Sequence, residues 1–284
     1  MKGIEHRQIE TNNGHKLSST FYLPDGEMKG AVIIVPAMGV TQKYYASFAS
    51  WLKSRGYMVA TFDYSGTGLS QSGKLQNISV TITDWAMFDC TAMVNAISKQ
   101  ADGWPIYWIG HSLGGQLLGM VPNLHLVTKA ISIASGSGYW LDNAPSLKWR
   151  VWWLWYLVVP LTTRIYGYFP GKRLRKVGDL PRGVMNQWRE WCLNPDYMVG
   201  AEGAEIREKY RNVTTPISSF SFTDDELMSK KNIDSLNSFY VTSKIETSRI
   251  TPEQIGAKRI GHFGFFKAKF EDSLWGSHLL PELN

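Results

Sequence analysis

Residues 105–115, PIYWIGHSLGG, constrain this chain more than any other stretch. An apolar run, Ile106 to Ile109, leads into Gly110-His111-Ser112-Leu113-Gly114 and then into the small, helix-compatible stretch Gln116-Leu117-Leu118-Gly119-Met120. Strand, sharp turn and helix form the setting in which the serine of a G-x-S-x-G pattern stands exposed above a sheet. A residue wedged between a strand end and a helix start takes a strained backbone conformation, and its neighbours two positions away must lack bulk. The helix that begins there points its amide dipoles at the serine and favours negative charge beside it. Ser112 is the candidate nucleophile.

The rest of the chain supplies a sheet for that turn. Gln8 to Thr11 and Leu17 to Leu23 read as strands joined by the turn Asn12-Asn13-Gly14. Ala31 to Val35 is a continuous apolar, β-branched run, as expected of a strand buried on both faces. Tyr44 to Arg55 has helical spacing and stops at Gly56; Tyr57 to Phe62 is strand; Ile82 to Ser98 is a longer helix; Leu126 to Ala134 is strand again. This alternation predicts an α/β fold, a mostly parallel sheet with helices on both faces. The rhythm breaks over residues 137 to about 212, which hold seven of the twelve tryptophans, and resumes with a strand at Ile217 to Phe222. A helix from about Lys231 to Tyr240, a stretch Ser243 to Ile250 and a last helix near Glu271 to Leu280 follow. An insertion after the elbow helix and its following strand would sit over the carboxyl ends of the strands, where open α/β sheets hold ligands. The expectation is one domain, 1–284, with a helical cap at about 137–212.

A chain of 284 residues with 44% hydrophobic and 19% charged residues can bury a substantial core. Cys90 and Cys192 lie far apart and match no metal or redox spacing, which argues for small buried residues and against a disulfide scaffold. The start, MKGIEHRQIETNNGHK, has no apolar signal-peptide core, so a cytoplasmic location is expected. The longest apolar run, Val151 to Leu161, is too short to span a bilayer. The net charge of +6 concentrates at Lys172, Arg173, Arg175 and Lys176, but no helix-turn-helix, zinc-finger or aromatic RNA-binding signature surrounds them. A solvated face, and no nucleic-acid partner, is the reading.

A serine hydroxyl needs a base beside it, and the base needs an orienting group. Of six histidines, His6 and His15 precede the main sheet, His111 sits inside the elbow, His125 falls at the wrong end of the sheet and His278 lies in the terminal helix. His262 remains, in Gly261-His262-Phe263-Gly264, on a loop where glycines let the ring reach over the sheet edge. The acid should come from a strand end between nucleophile and base. Thr223-Asp224-Asp225-Glu226 supplies it, with Asp225 the first choice, Asp224 the alternative and Glu226 third. An oxyanion hole needs two backbone N–H groups. The Leu113 amide is one, and the loop Pro36-Ala37-Met38-Gly39-Val40 offers the Met38 amide as the other.

At these residues the chain resembles the α/β-hydrolase superfamily over nearly its full length. Val35-Pro36-Ala37-Met38-Gly39 stands in place of His-Gly-x-Gly, and Asp63-Tyr64-Ser65-Gly66-Thr67-Gly68-Leu69-Ser70 in place of Asp-x-Arg-Gly-x-Gly-x-Ser. More narrowly it is similar to a bacterial group of α/β hydrolases near the serine-aminopeptidase and monoglyceride-lipase-like branch, whose members carry a similar PAMGV loop, a tryptophan-rich cap with YFPG, and GHFGFF at the base. The resemblance places the acid three residues past Phe222, at Asp225. Two departures stand out: Pro36 replaces the histidine before the oxyanion loop, and Ser65 replaces the arginine.

The resemblance and the residues together imply a serine hydrolase acting on a small-molecule carboxylic ester, thioester or amide with an apolar or aromatic group. No metal or organic cofactor is called for. Acyl transfer through the same acyl-enzyme is the alternative, and a non-catalytic receptor on the same fold is a further one. Lys148 and Arg150 before the Val151–Leu161 run, with Arg164 after it, also suit a cap helix that touches a membrane surface transiently. The oligomeric state is not legible in the sequence.

Overall fold

The computed structural model describes residues 3–174 and 177–283. Strands β1 (Ile4–Glu10) and β2 (Lys16–Tyr22) form an antiparallel hairpin. They are followed by β3 (Gly30–Val35), β4 (Tyr57–Phe62), β5 (Ile106–His111) and β6 (Lys129–Ile133). A two-residue pair, β7 (Tyr168–Phe169) and β8 (Leu180–Pro181), stands apart. Two more strands, β9 (Ile217–Phe222) and β10 (Ile245–Ile250), complete an eight-stranded sheet of order β1-β2-β4-β3-β5-β6-β9-β10. From β4 to β10 every neighbouring pair is parallel. This is the α/β-hydrolase fold.

The β3 run shows why a two-sided sheet forms. Ala31, Ile33 and Val35 point into one apolar cluster and Val32 and Ile34 into another, so the strand is buried on both faces. The helix Ala46–Ser54 buries Phe48, Ala49, Trp51 and Leu52 against the second cluster. The order β4-β3-β5 means that the chain turns one way after β3 and the other way before β5. Open sheets hold ligands outside the carboxyl ends of strands at such a reversal, here those of β3 and β5. Val35 and Gly110 are register partners there.

Several boundaries differ from the sequence reading. β1 begins at Ile4, four residues before Gln8. The strand expected from Leu126 starts at Lys129, because Leu124–Leu126 closes a 3-10 turn first. The long helix runs on to Ala101 and widens to π-helix over Trp85–Cys90. The helix after the elbow is a single turn, Leu113–Gln116, followed by a 3-10 turn at Leu118–Met120. Packing from above explains the break: a Cβ on Gly119 would lie 2.5 Å from the ring of Tyr210, whose hydroxyl donates to the Gln116 carbonyl at 2.5 Å. A one-turn helix brings far less dipole to the serine than the expected longer one.

Between β6 and β9 lie the helices Pro145–Trp153, Val159–Tyr166, Arg182–Leu193, Tyr197–Ala201 and Ala204–Arg211. The first two join through a π-helical stretch, Leu154–Val158, into one rod. Pro160 lacks an N–H, and the wider turn before it relieves the helix of that missing bond. Val151, Trp155, Val159, Met185 and Trp191 of this region share an apolar cluster with Met38 and Leu113. Cys90 and Cys192 are both buried and unpaired. Of the basic cluster, Arg175 and Lys176 lie outside the described residues. Among the described residues no helix is long and apolar enough to cross a membrane.

Candidate active site

Ser112 follows β5 with φ +50° and ψ −111°, a conformation that side chains rarely adopt. Its amide donates to the Ile133 carbonyl at 2.9 Å, and its carbonyl accepts from Gly115 at 3.0 Å. Close approach dictates the flanking glycines. A Cβ at Gly110 would lie 2.4 Å from the Gly114 carbonyl oxygen, and one at Gly114 only 2.1 Å from that of Val35. The elbow is thus pressed directly onto the end of β3, with the loop 36–40 beside it. Among the described residues neither the Met38 nor the Leu113 amide donates a hydrogen bond. From the segment between β6 and β9, Gly178 donates its amide to the Gly39 carbonyl at 3.3 Å, so the β7–β8 connection rests on that loop.

His262 stands on the same rim. Its Nδ1 lies 2.9 Å from Asp225 Oδ2, and both side chains are almost wholly buried. Asp225 Oδ1 accepts from the amides of Leu227 and Met228 at 2.8 and 2.9 Å, which fixes the carboxylate before it meets the ring. The imidazole centroid is 5.4 Å from that of His111, the residue before Ser112. Among the described residues Ser112 and His262 share no side-chain hydrogen bond, and the Asp225 pairing leaves Nε2 of the ring as the nitrogen free to face the serine.

The two other acids of the run do different work. Asp224 accepts from the amides of Ile260 at 2.8 Å and Gly261 at 3.1 Å. Glu226 Oε2 accepts from the His262 amide at 3.1 Å and pairs with Arg259 at 3.2 Å. Partial burial pulls the Glu226 carboxyl up, but hydrogen bonds from the His262 amide, its own amide and Arg259, with the Arg259 charge, bring it below its ordinary value. Three consecutive carboxylates therefore hold one loop: two grip its backbone and one meets its imidazole. Gly261 is the hinge, with φ +66° and a would-be Cβ 2.8 Å from Glu226 Oε2. Sequence reasoning treated the acids as competitors for one role. The signal it had was their adjacency, since successive side chains leaving a strand end can reach different parts of the same loop.

Sequence reasoning also passed over Tyr45. Its hydroxyl accepts from the Ala37 amide at 2.9 Å and lies 2.9 Å from His111 Nδ1. His111 Nε2 is 3.1 Å from the His262 carbonyl oxygen. Burial, and then the neighbouring His262, push the His111 pKa well below the ordinary imidazole value, so this ring is neutral. Ser65, in the place of an arginine, is held by Asp89, which accepts from its amide and its hydroxyl at 2.7 Å each. Among the described residues no group of three or more His, Cys, Asp or Glu is placed to hold a metal ion.

Comparison with known proteins agrees with this fold. Residues 26–165 match the family described as serine aminopeptidase, S33. The chain is 25% identical over 107 residues to a monoglyceride lipase of Rattus norvegicus, a stretch that takes 37% of this chain and 34% of that enzyme. The match thus spans about a third of the length of that curated relative. Among solved structures, an esterase of Pyrococcus furiosus superposes with a TM-score of 0.63 at 15% identity, covering 99% of this chain and 90% of that one. A monoglyceride lipase of Saccharomyces cerevisiae, bound to a substrate analog, gives 0.60 at 15% identity over 88% and 86%. A thermostable carboxyl esterase of Bacillus coagulans gives 0.59 at 14% identity over 88% and 91%. At such identities the structural likeness is one of fold. The chain has the α/β-hydrolase fold, and over residues 26–165 it is similar to the serine aminopeptidase family.

Proposed function

We propose that this protein is a serine hydrolase that cleaves a carboxylic ester carrying an apolar group, with residues of about 137–212 as its cap. The observation that carries the reading is a serine at positive φ sharing one sheet rim with an imidazole whose Nδ1 is 2.9 Å from a buried carboxylate. In this reading His262 Nε2 takes the proton as Ser112 Oγ attacks the carbonyl carbon. Asp225 keeps the proton on Nδ1 and steadies the imidazolium. The Met38 and Leu113 amides receive the oxyanion. His262 then protonates the leaving alcohol, and water, deprotonated by the same ring, releases the acid from the acyl-enzyme. The test is turnover of p-nitrophenyl esters of graded chain length together with fluorophosphonate labelling. Wild type should label and turn over, and Ser112→Ala should do neither; full esterase activity in Ser112→Ala sinks the assignment. Product analysis with an added alcohol separates hydrolysis from acyl transfer.

Two features support a lipid-like substrate. Met38 and Leu113 share their apolar cluster with Val151, Trp155, Val159 and Met185 of the cap, so the site's roof is apolar. The same rod turns a second apolar face outward: Trp149, Trp153, Leu157, Leu161 and Ile165 are exposed at helical spacing, with exposed Arg150 and Arg164 on the same rod. Single exposed apolar residues are ordinary, but a continuous stripe marks an interaction surface. Its basic ends suit anionic lipid. The likeness to monoglyceride lipases adds support for a fatty-acyl ester as substrate. Co-sedimentation with anionic vesicles tests the contact, and its absence with both anionic and neutral vesicles removes it.

A further inference from the structure

The elbow histidine has no part in the proton transfers of the proposed reaction, yet it is wholly buried between the two loops that reaction depends on. Its hydrogen bonds have only one consistent direction. The Ala37 N–H donates to Tyr45 Oη, so the single Tyr45 hydroxyl proton is left to go to an acceptor. His111 Nδ1, 2.9 Å away, is that acceptor, which makes it unprotonated. The proton of the neutral ring then sits on Nε2 and is donated to the His262 carbonyl at 3.1 Å. The other neutral tautomer would set a bare Nε2 against the His262 carbonyl, two acceptors with no proton between them, and would leave the Tyr45 hydroxyl proton without a partner; an unmet buried polar group is expensive. Next to this chain, Tyr44 Oη donates to the carbonyl of Phe263. Two consecutive tyrosines thus reach the base loop, one directly and one through His111.

We propose that Tyr45 and His111 are positioning residues that hold the oxyanion loop and the base loop in one register, through a buried chain of hydrogen bonds from the Ala37 amide to the His262 carbonyl. This rests on the hydrolase reading above and deepens it. At one end the chain fixes the peptide just before the one that bears the Met38 amide. At the other it completes the grip on His262, whose N–H is held by Glu226, whose ring meets Asp225 and whose C=O is held by His111. Ser112 follows His111 directly, so nucleophile, oxyanion donor and base are all referred to one imidazole.

The experiment combines ester kinetics on Tyr45→Phe, His111→Asn, His111→Gln and Tyr45→Phe/His111→Asn with a tautomer measurement on wild type. Both Tyr45→Phe and His111→Asn should lose roughly 10- to 100-fold in kcat while KM stays within about twofold, because misplacement penalises the transition state rather than ground-state binding. His111→Gln should recover most of the loss, since its amide N–H reaches the place of Nε2 where that of Asn does not. The double variant should be no worse than the poorer single, the mark of residues acting as one unit. In ¹⁵N-labelled wild type, His111 should stay a neutral Nε2–H tautomer from about pH 5 to 8. Turnover within twofold of wild type in both single variants, a change in KM alone, or an Nδ1–H or doubly protonated His111 overturns the proposal. A wild type that turns over no ester sinks the hydrolase reading and this one with it; silent variants of an active wild type sink this one alone.

Discussion

The rim of the sheet and the proposed cap, the helices between β6 and β9, are built on opposite principles. At the rim, position is set by directed bonds: Asp224, Asp225 and Glu226 hold one loop through the amides of Ile260, Gly261 and His262 and the Nδ1 of His262, and Tyr45 and His111 tie that loop to its neighbour. In the cap rod of Pro145–Tyr166, position is set by apolar area on one face, and the other face is left apolar and exposed. Directed bonds fail when one atom changes, whereas area fails gradually. Isosteric substitutions should therefore be severe at the rim and mild on the outer cap.

Asp225→Asn is the hardest test of that contrast, since it alters one atom. An amide can accept from Leu227 and Met228 as before, but its NH2 would then face His262 Nδ1 and force the other tautomer. Turnover should drop by about 10³- to 10⁴-fold with little change in KM. Steady-state kinetics beside a thermal melt check this, and a loss under tenfold in a folded variant would contradict the role given to Asp225. Asp224→Asn should rank below it. The variant keeps one acceptor for two donors, Ile260 N–H and Gly261 N–H, so one buried amide loses its partner. A loss of about 1–3 kcal/mol in stability is expected, with a smaller fall in kcat than for Asp225→Asn.

Legibility in the sequence followed the same divide. β4 was bounded to the residue because an apolar run buried on both faces, with turn residues at each end, leaves little choice; β9, half serine, was bounded by Pro216 before it and the three carboxylates after Thr223. Ser112 was legible because the fold imposes glycine on both sides of it. The short elbow helix was not, because its cause is Tyr210, nearly a hundred residues away, pressing on Gly119. The division of labour among the three acids was hidden for the same reason. It depends on where the backbone of 260–262 lies, which the adjacency of the acids at 224–226 hints at and does not fix.

Asp89 offers a third level of effect, at the rim but away from the proposed chemistry. Burial pushes its carboxyl from 3.8 up to about 7, despite two hydrogen bonds from Ser65. A carboxyl whose folded pKa is raised contributes stability that is whole below the unfolded value and is lost as pH rises through the folded one. Wild type should thus lose stability between pH 4 and 7, roughly. Asp89→Asn can still accept from the Ser65 amide and donate to its hydroxyl, and it has no charge to bury. Melting curves at several pH values should show the variant gaining on wild type by a few degrees as pH rises. Parallel curves would mean that Asp89 carries no such linkage.

The outer cap should give the smallest folding effect and the sharpest contrast. Trp149 and Ile165 are 68% and 72% exposed, so replacing both with serine removes little buried area. Stability should stay within about 0.5 kcal/mol of wild type, and turnover of a short, water-soluble ester should be unchanged. Affinity for anionic vesicles should fall, because each aromatic or branched side chain withdrawn from an interface forfeits its apolar contact while Arg150 and Arg164 retain theirs. The readout is co-sedimentation at low and high salt beside a melt of the same sample. Loss of stability in the double variant would show that the stripe is packed against something the exposed surface does not reveal. Unchanged vesicle binding would move the contact to another face, and the contrast between a bonded rim and an adhesive cap would fail there first.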